Sequence, residues 1–332
     1  MTNFFARSKS LLSNNLLIDS VRILFISISA TLRFSNGQVT SKRINPPSSS
    51  ICKSISTDSI ILCFLDPSLG NHNKFIDISE QLSANDISGV KVLHHDEKLG
   101  ITIQNDLGDN DLLKVLDENN KQELLNKSLD LLIDIQNIRF DNIDKFKSED
   151  LKEQMNLFKN KFCEEFLSVE TDNSIDELIE NVNDELMMQP WKNCHFDFER
   201  RNLILNHDRT ISVIDYQDIK TGPIGIDLSG ILVDHYYPFE EKSVINFVDY
   251  YAKKTNFNTN EVFKYLKSGC IQRNLRILGT LSDLYISQKR TFRLKDLPMI
   301  LKNMITILET ENFPTDFFND VLEKLISRVN SI

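Results

Sequence analysis

Apolar residues recur every three to four positions through most of the chain beyond residue 120, and that spacing predicts a mainly helical region. Leu124, Leu125, Leu129, Leu132 and Ile135 share one face of a helix over 123–135. Leu151, Met155, Phe158, Phe162 and Phe166 share one face over 151–166. Ser174 with Glu177 has the spacing of a capping box and would open a helix over 175–187. Further helical stretches fall at 240–254, 261–267, 271–288, 298–308 and 316–329. Such stripes are core faces. The pattern before residue 110 is mixed. Phe75, Ile78 and Leu82 make a helix of 74–82, while 22–28, 59–65, 90–93 and 100–104 read as strands, the last two joined by a turn at Glu97 and Lys98. Asn105-Asp106-Leu107-Gly108-Asp109 then interrupts regular structure and marks a boundary.

Composition narrows the possibilities. The 332 residues suffice for two lobes. A net charge of −10 disfavours a nucleic acid as partner. Five cysteines stand singly, with no paired spacing, and read as idle thiols of a reducing compartment. The most apolar run, 23–32, is broken by Ser27 and Ser29 and bounded by Arg22 and Arg33. It is too short for a membrane span of about 20 residues. Asn14, Asn15 and Asp19 precede it without a cleavage site after it, so a signal peptide is not expected and the protein reads as cytoplasmic. Residues 1–57 differ from the rest: they hold seven Lys/Arg, one acid and thirteen Ser, a net +6 against −16 for the remainder. A divergent β-rich start, a poorly ordered arm and an altered reading frame all fit that segment.

The chemistry gathers where the helical pattern breaks, over 191–218. The sequence there runs His195-Phe196-Asp197-Phe198-Glu199-Arg200-Arg201-Asn202-Leu203-Ile204-Leu205, then a polar turn at 207–209, then Ile211-Ser212-Val213-Ile214-Asp215. Two apolar runs about a polar turn form a hairpin. Folding it about the turn sets Asn202 and Asp215 side by side at the open end, with Asp197 in the loop that enters the same end. Phosphoryl transfer needs such a set. Asp215 and Asn202 offer the oxygen ligands that Mg²⁺ takes, and Asp197 offers a carboxylate to orient a hydroxyl and receive its proton. His195 is expected to be a packed, structural histidine, and Glu199, Arg200 and Arg201 a solvated charged turn. His94 and His95, adjacent on a strand, point to opposite faces and make no metal site.

These residues resemble the aminoglycoside phosphotransferase and choline kinase superfamily, above all its bacterial cell-wall-recycling kinases, which phosphorylate N-acetylmuramate and N-acetylglucosamine at the anomeric hydroxyl. The resemblance is carried by Ile214-Asp215-Tyr216-Gln217-Asp218 with Gly222-Pro223, by Asp227-Leu228 with Leu232-Val233-Asp234-His235-Tyr236, by Gln272-Arg273-Asn274-Leu275-Arg276-Ile277-Leu278-Gly279, and by Asp106-Leu107-Gly108-Asp109. It spans roughly residues 59–310. It implies an α+β, protein-kinase-like two-lobe fold: a small β-rich N-lobe (58–105) over a larger, mainly helical C-lobe (106–332). It further implies ATP and Mg²⁺ as cofactors, a small sugar as substrate, Asp197 as catalytic base, Asn202 and Asp215 as metal ligands, and His195 and Asp227 as supports of the site. Ile103, Gln104, Asn105, Asp106 and Leu107 would form the hinge that meets the adenine.

Phe196 stands where the family often has Arg. The N-lobe departs further. Gly37 is the only glycine before Gly70, and 59–65 has no lysine for the nucleotide phosphates, which leaves Arg33, Lys42, Arg43 or Lys53 for that role. Two alternatives remain open beside the amino-sugar kinase: a kinase for an aminoglycoside, choline or another small alcohol, and an inactive kinase-like binding module.

Overall fold

The computed structural model describes residues 40–44, 60–68, 70–233 and 241–332. The strand expected at 22–28, and Arg33 and Lys53, lie outside the described residues. The chain divides into two compact units, one taking in the described residues up to Glu80 with Val90–Gly108, the other Gln81–Gly89 with Asp109–Ile332.

The first unit is built on a four-stranded antiparallel sheet in the order β1-β2-β4-β3: β1 (Thr40–Ile44), β2 (Ile60–Phe64), β3 (Val92–Asp96) and β4 (Ile101–Asn105). Lys42 and Arg43 lie on β1. β4 is central, and Ile101, Thr102, Ile103 and Gln104 are all buried. The two polar members satisfy each other, Gln104 Nε2 donating to Thr102 Oγ1 at 3.0 Å. β3 begins two residues later than its apolar pattern predicts and carries a bulge between Val92 and His94. It is an edge strand of mostly half-buried residues, where hydrophobic spacing says little about register. Gly100 closes the β3–β4 turn at φ +63°, and a Cβ there would lie 1.9 Å from the Leu65 carbonyl oxygen, so no other residue fits. Helix α1 (Asn73–Ala84) follows β2.

The second unit is mainly helical: α2 (Leu112–Val115), α3 (Lys121–Asn137), α4 (Ser148–Leu157), α5 (Asn173–Met188), α6 (Gly225–Leu232), α7 (Glu241–Thr255), α8 (Thr259–Gln288), α9 (Leu297–Thr310) and α10 (Asp316–Asn330). The apolar faces read from the sequence meet in one core, in which the Phe158 ring lies 5.1 Å from Phe162 and 6.0 Å from Phe318. Three details differ from the sequence pattern. The helix expected over 151–166 turns π-helical at Phe158–Phe166. The cap of α5 is Asp172, which accepts from the Ser174 N–H at 2.8 Å. A carboxylate two residues earlier takes an exposed N–H in place of the Ser174 hydroxyl. The two helices expected at 261–267 and 271–288 are one, because Gly269 ends nothing. It lets α8 pass against Gly225, where a Cβ on Gly269 would lie 2.1 Å from the Gly225 carbonyl oxygen.

Four short strands frame the break in the helical pattern. β5 (Trp191–Cys194) pairs with β8 (Lys220–Pro223), and β6 (Leu203–Leu205) with β7 (Ile211–Val213). The second pair is the expected hairpin. Its Leu203↔Val213 register puts Asn202 opposite Ile214, whose N–H donates to the Asn202 carbonyl at 3.0 Å. Among the described residues no helix is long and apolar enough to cross a membrane.

Candidate active site

α6 is buried along all eight of its residues and places the Asp227 carboxylate beneath the loop that leaves β5. Asp227 Oδ2 accepts the His195 N–H at 2.7 Å, and Oδ1 accepts the Phe196 N–H at 2.8 Å. Burial pushes this carboxyl up to about 6, while His195 and the two N–H donors favour the ionised form. The His195 ring bonds through Nε2 to the Ile214 carbonyl at 2.9 Å. A carbonyl only accepts, so Nε2 carries the proton. One histidine thus joins the loop to the strand end that leads to Asp215.

Phe196 takes the left-handed conformation, φ +68°. Its ring rests on Gly222, where a Cβ would lie 2.6 Å from the ring Cζ, and stands 4.1 Å from the Phe146 ring. Next along the chain, the Asp197 side chain is half exposed. Arg276 Nη2 donates both to its Oδ1 at 3.0 Å and to the Phe196 carbonyl at 3.1 Å. Burial alone would raise the Asp197 carboxyl, but the charges of Arg276 and Arg273 outweigh it and hold the group below the usual carboxylate value. The Asp197 carbonyl accepts from the Glu199 N–H at 2.8 Å and from Asn202 Nδ2 at 2.9 Å. Asp215 follows Ile214 at φ +63°, its Oδ1 accepting from Gln217 Nε2 at 2.9 Å.

The structure therefore links His195, Asp197, Asn202 and Asp227 by a short chain of hydrogen bonds, with Asp215 following Ile214 of that chain. Asn202 and Asp215 are oxygen donors of the kind a hard divalent cation takes. The Asn202 nitrogen is spent on the Asp197 carbonyl, so its amide oxygen is the atom that could face a cation. Among the described residues no group of three or more His, Cys, Asp or Glu is gathered for a metal. One carboxylate and one amide suit Mg²⁺, which keeps waters and substrate phosphates in its remaining positions. The five hinge positions lie in the sheet unit. Ile103 and Gln104 are buried in β4, Asn105 exchanges hydrogen bonds with the Lys91 main chain at 2.7 and 3.2 Å, and Asp106 Oδ1 accepts from the Gly108 N–H at 2.9 Å.

Glu199 and Arg200 do not form a solvated turn; both are buried. Glu199 Oε2 lies 2.5 Å from Arg273 Nη2 and Oε1 lies 3.1 Å from Arg201 Nε. The partner comes from α8, 74 residues along the chain, which no local pattern reveals. Arg273 and Arg276 are the functional neighbours that sequence reasoning passed over. Their signal was two arginines at i, i+3 amid Cys270, Ile271, Leu275, Ile277 and Leu278, a placement that favours an acidic partner. Cys194, beside the loop, is buried, and burial pushes its thiol well above its ordinary value, which suits packing rather than nucleophilic attack.

A family model described as "Phosphotransferase enzyme family" matches residues 59–262. The chain is 27% identical over 227 residues to the N-acetylmuramate/N-acetylglucosamine kinase of Neisseria meningitidis serogroup B, covering 64% of this chain and 68% of that protein. It is 22% identical over 260 residues to the protein of the same name from Pseudomonas aeruginosa, covering 75% and 77%. Among solved structures, choline kinase LicA from Streptococcus pneumoniae superposes with a TM-score of 0.58 at 16% identity, over 86% of this chain and 99% of that one. The ADP-bound aminoglycoside phosphotransferase APH(2'')-Ib superposes at 0.53 with 15% identity, over 87% and 98%. The fold is that of the protein-kinase-like phosphotransferases.

Proposed function

Because the chain belongs to the phosphotransferase enzyme family, and is a small-molecule kinase with a hydroxyl acceptor, we propose that it moves the terminal phosphoryl group of ATP onto an amino sugar, at the anomeric hydroxyl of N-acetylmuramate or N-acetylglucosamine, from a site formed by Asp197, Asn202 and Asp215. The observation that carries the site assignment is the Asp197 carboxylate, half exposed, with Arg276 on Oδ1 and its main chain tied to the Asn202 amide. The choice of an amino sugar is supported by the names of the two curated relatives.

The chemistry follows from these placements. The acceptor hydroxyl donates to Asp197 Oδ2, its oxygen attacks the terminal phosphorus in line, and the bond from that phosphorus to ADP breaks. The hydroxyl proton passes to Asp197 as the new O–P bond forms. A carboxyl held below its ordinary value is a weak base. Its larger contribution is therefore to orient the hydroxyl, with proton transfer late, as suits a loose transition state. Asn202 Oδ1 and Asp215 would hold Mg²⁺, which when bound neutralises charge on the phosphate oxygens. Strand pairing engages the main chain of Ile103, Gln104 and Asn105, so adenine contacts would fall to the segment just past β4, at Asp106 and Leu107.

The test is nucleotide consumption with Mg²⁺-ATP against N-acetylmuramate, N-acetylglucosamine, an aminoglycoside and choline. Turnover with the amino sugars, falling by at least about a hundredfold in Asp197→Asn, is the expected result. Full turnover in both Asp197→Asn and Asp215→Ala would falsify the site. Turnover only with another acceptor keeps the site and discards the sugar. No turnover, with no ATP binding by calorimetry, replaces the kinase with a binding module.

A further inference from the structure

Helix α8 carries Arg273 and Arg276 three residues apart, on one face, turned toward the loop that holds Asp197. The two do different things. Arg273 forms a buried ion pair with Glu199 and so ties the helix to the loop as a whole. Arg276 reaches the two residues that decide how the carboxylate is presented. Its Nη2 lies 3.1 Å from the Phe196 carbonyl and 3.0 Å from Asp197 Oδ1.

Phe196 is a bulky residue in the left-handed region, which persists only when its surroundings hold it there. Three contacts do so: Asp227 on its N–H, Gly222 and Phe146 against its ring, and Arg276 on its carbonyl. The first two fix where Phe196 sits. The third alone couples that turn to the neighbouring carboxylate. The main chain of Asp197 is held separately, by the Glu199 N–H and Asn202 Nδ2, but neither touches its carboxylate. Among the described residues Arg276 is the carboxylate's only hydrogen-bond partner.

We propose that Arg276 is a positioning residue of the phosphoryl transfer: by joining the Phe196 carbonyl to one oxygen of Asp197, it locks the turn and presents the other oxygen to the acceptor hydroxyl. This rests on the reading of Asp197 as the group that receives the hydroxyl proton. A lysine at 276 supplies charge but not the rigid, planar guanidinium that holds Nη2 between the two acceptors, so it substitutes only in part.

The experiment compares Arg276→Gln, Arg276→Lys, Asp197→Asn and the double variant Asp197→Asn/Arg276→Gln. It measures kcat, KM for both substrates, ATP affinity by calorimetry and Tm. Arg276→Gln is expected to lower kcat by about a hundredfold, with ATP affinity and KM for ATP unchanged, and Arg276→Lys to recover part of the loss. In the Asp197→Asn background the same change costs almost nothing, because Arg276 acts through that carboxylate. Wild-type kcat in Arg276→Gln, or an equal loss in both backgrounds, overturns the proposal. A crystal structure of Arg276→Gln decides independently of turnover. Relaxation of Phe196 out of positive φ, or rotation of the Asp197 side chain, supports it, and an unchanged turn with an unchanged carboxylate overturns it. Full activity in Asp197→Asn alone would instead sink the functional assignment.

Discussion

Replacing Gly269 with alanine tests how closely α6 and α8 cross beneath the site. A Cβ there lies 2.1 Å from the Gly225 carbonyl oxygen and 2.2 Å from its carbonyl carbon, whereas such contacts essentially never fall below 3.0 Å. The obstacle is main chain, so no rotamer change relieves it, and the first turn of α6 must retreat by about 1 Å. Overpacking of this kind costs about 1–3 kcal/mol. Alanine returns about 1 kcal/mol through its better helix propensity. The expected balance is a net destabilisation of up to about 2 kcal/mol, seen as a Tm lowered by about 2–4 °C per kcal/mol. Activity should fall as well. Asp227 rides on α6, and its bonds of 2.7 and 2.8 Å to the His195 and Phe196 N–H groups would be pulled toward the limit of hydrogen-bond distance. Calorimetric melting and kcat, measured on the same preparation, check both halves. A variant more stable than wild type with unchanged kcat would show the crossing to be loose and the reasoning wrong.

Arg273→Met should destabilise by about 3 kcal/mol, because Glu199 is left buried with, among the described residues, Arg201 alone paired to it; urea unfolding checks this, and Glu199→Gln added to Arg273→Met should restore part of the loss. Cys194 should resist alkylation in the native chain and react once it is unfolded, as mass mapping after iodoacetamide treatment would show; rapid native labelling would contradict the burial that raises its thiol. Asp227 titrates near 6 when folded and near 4 when unfolded, so the folded chain holds this proton more tightly. Its stabilising contribution is full below pH 4 and lost as pH rises through 6, so stability relative to Asp227→Asn should shift against the wild type across that window. A difference that stays flat from pH 4 to pH 6.5 would show the carboxyl to be unshifted.

Much of the fold was legible because helices with wide apolar faces announce themselves. The Phe158, Phe162 and Phe166 stripe and the β6–β7 hairpin were both readable, and the hairpin register alone put Asn202 and Asp215 near each other. What was not legible depended on partners far along the chain. Glu199 and Arg200 read as a solvated turn because charges in a row usually are one, and only Arg273 explains why Glu199 is inside. β5 and β8 each have four residues, with Lys, Asn or Thr among them, so no alternation marked their pairing. The sequence reads as two helices with a gap over 268–270, where instead the missing side chain of Gly269 lets two backbones touch within one helix. Asp197 stands out in the sequence by its spacing to Asn202. Arg276, hydrogen-bonded to that carboxylate, does not, since nothing in the apolar pattern of 271–288 says where its two arginines point.

Helix α8 runs 30 residues without a break. Gly269, Arg273 and Arg276 meet the Gly225 main chain, Glu199 and Asp197 in turn, while Gly279 passes Leu157. Each residue of an α-helix turns the next by about 100°. Inserting or deleting a single residue between Gly269 and Gly279 would therefore swing every later contact away from its partner at once, whereas exchanging an outward-facing residue disturbs none of them. Length in this segment is fixed more tightly than identity. Related chains that keep the same site should align there without gaps even where few letters agree.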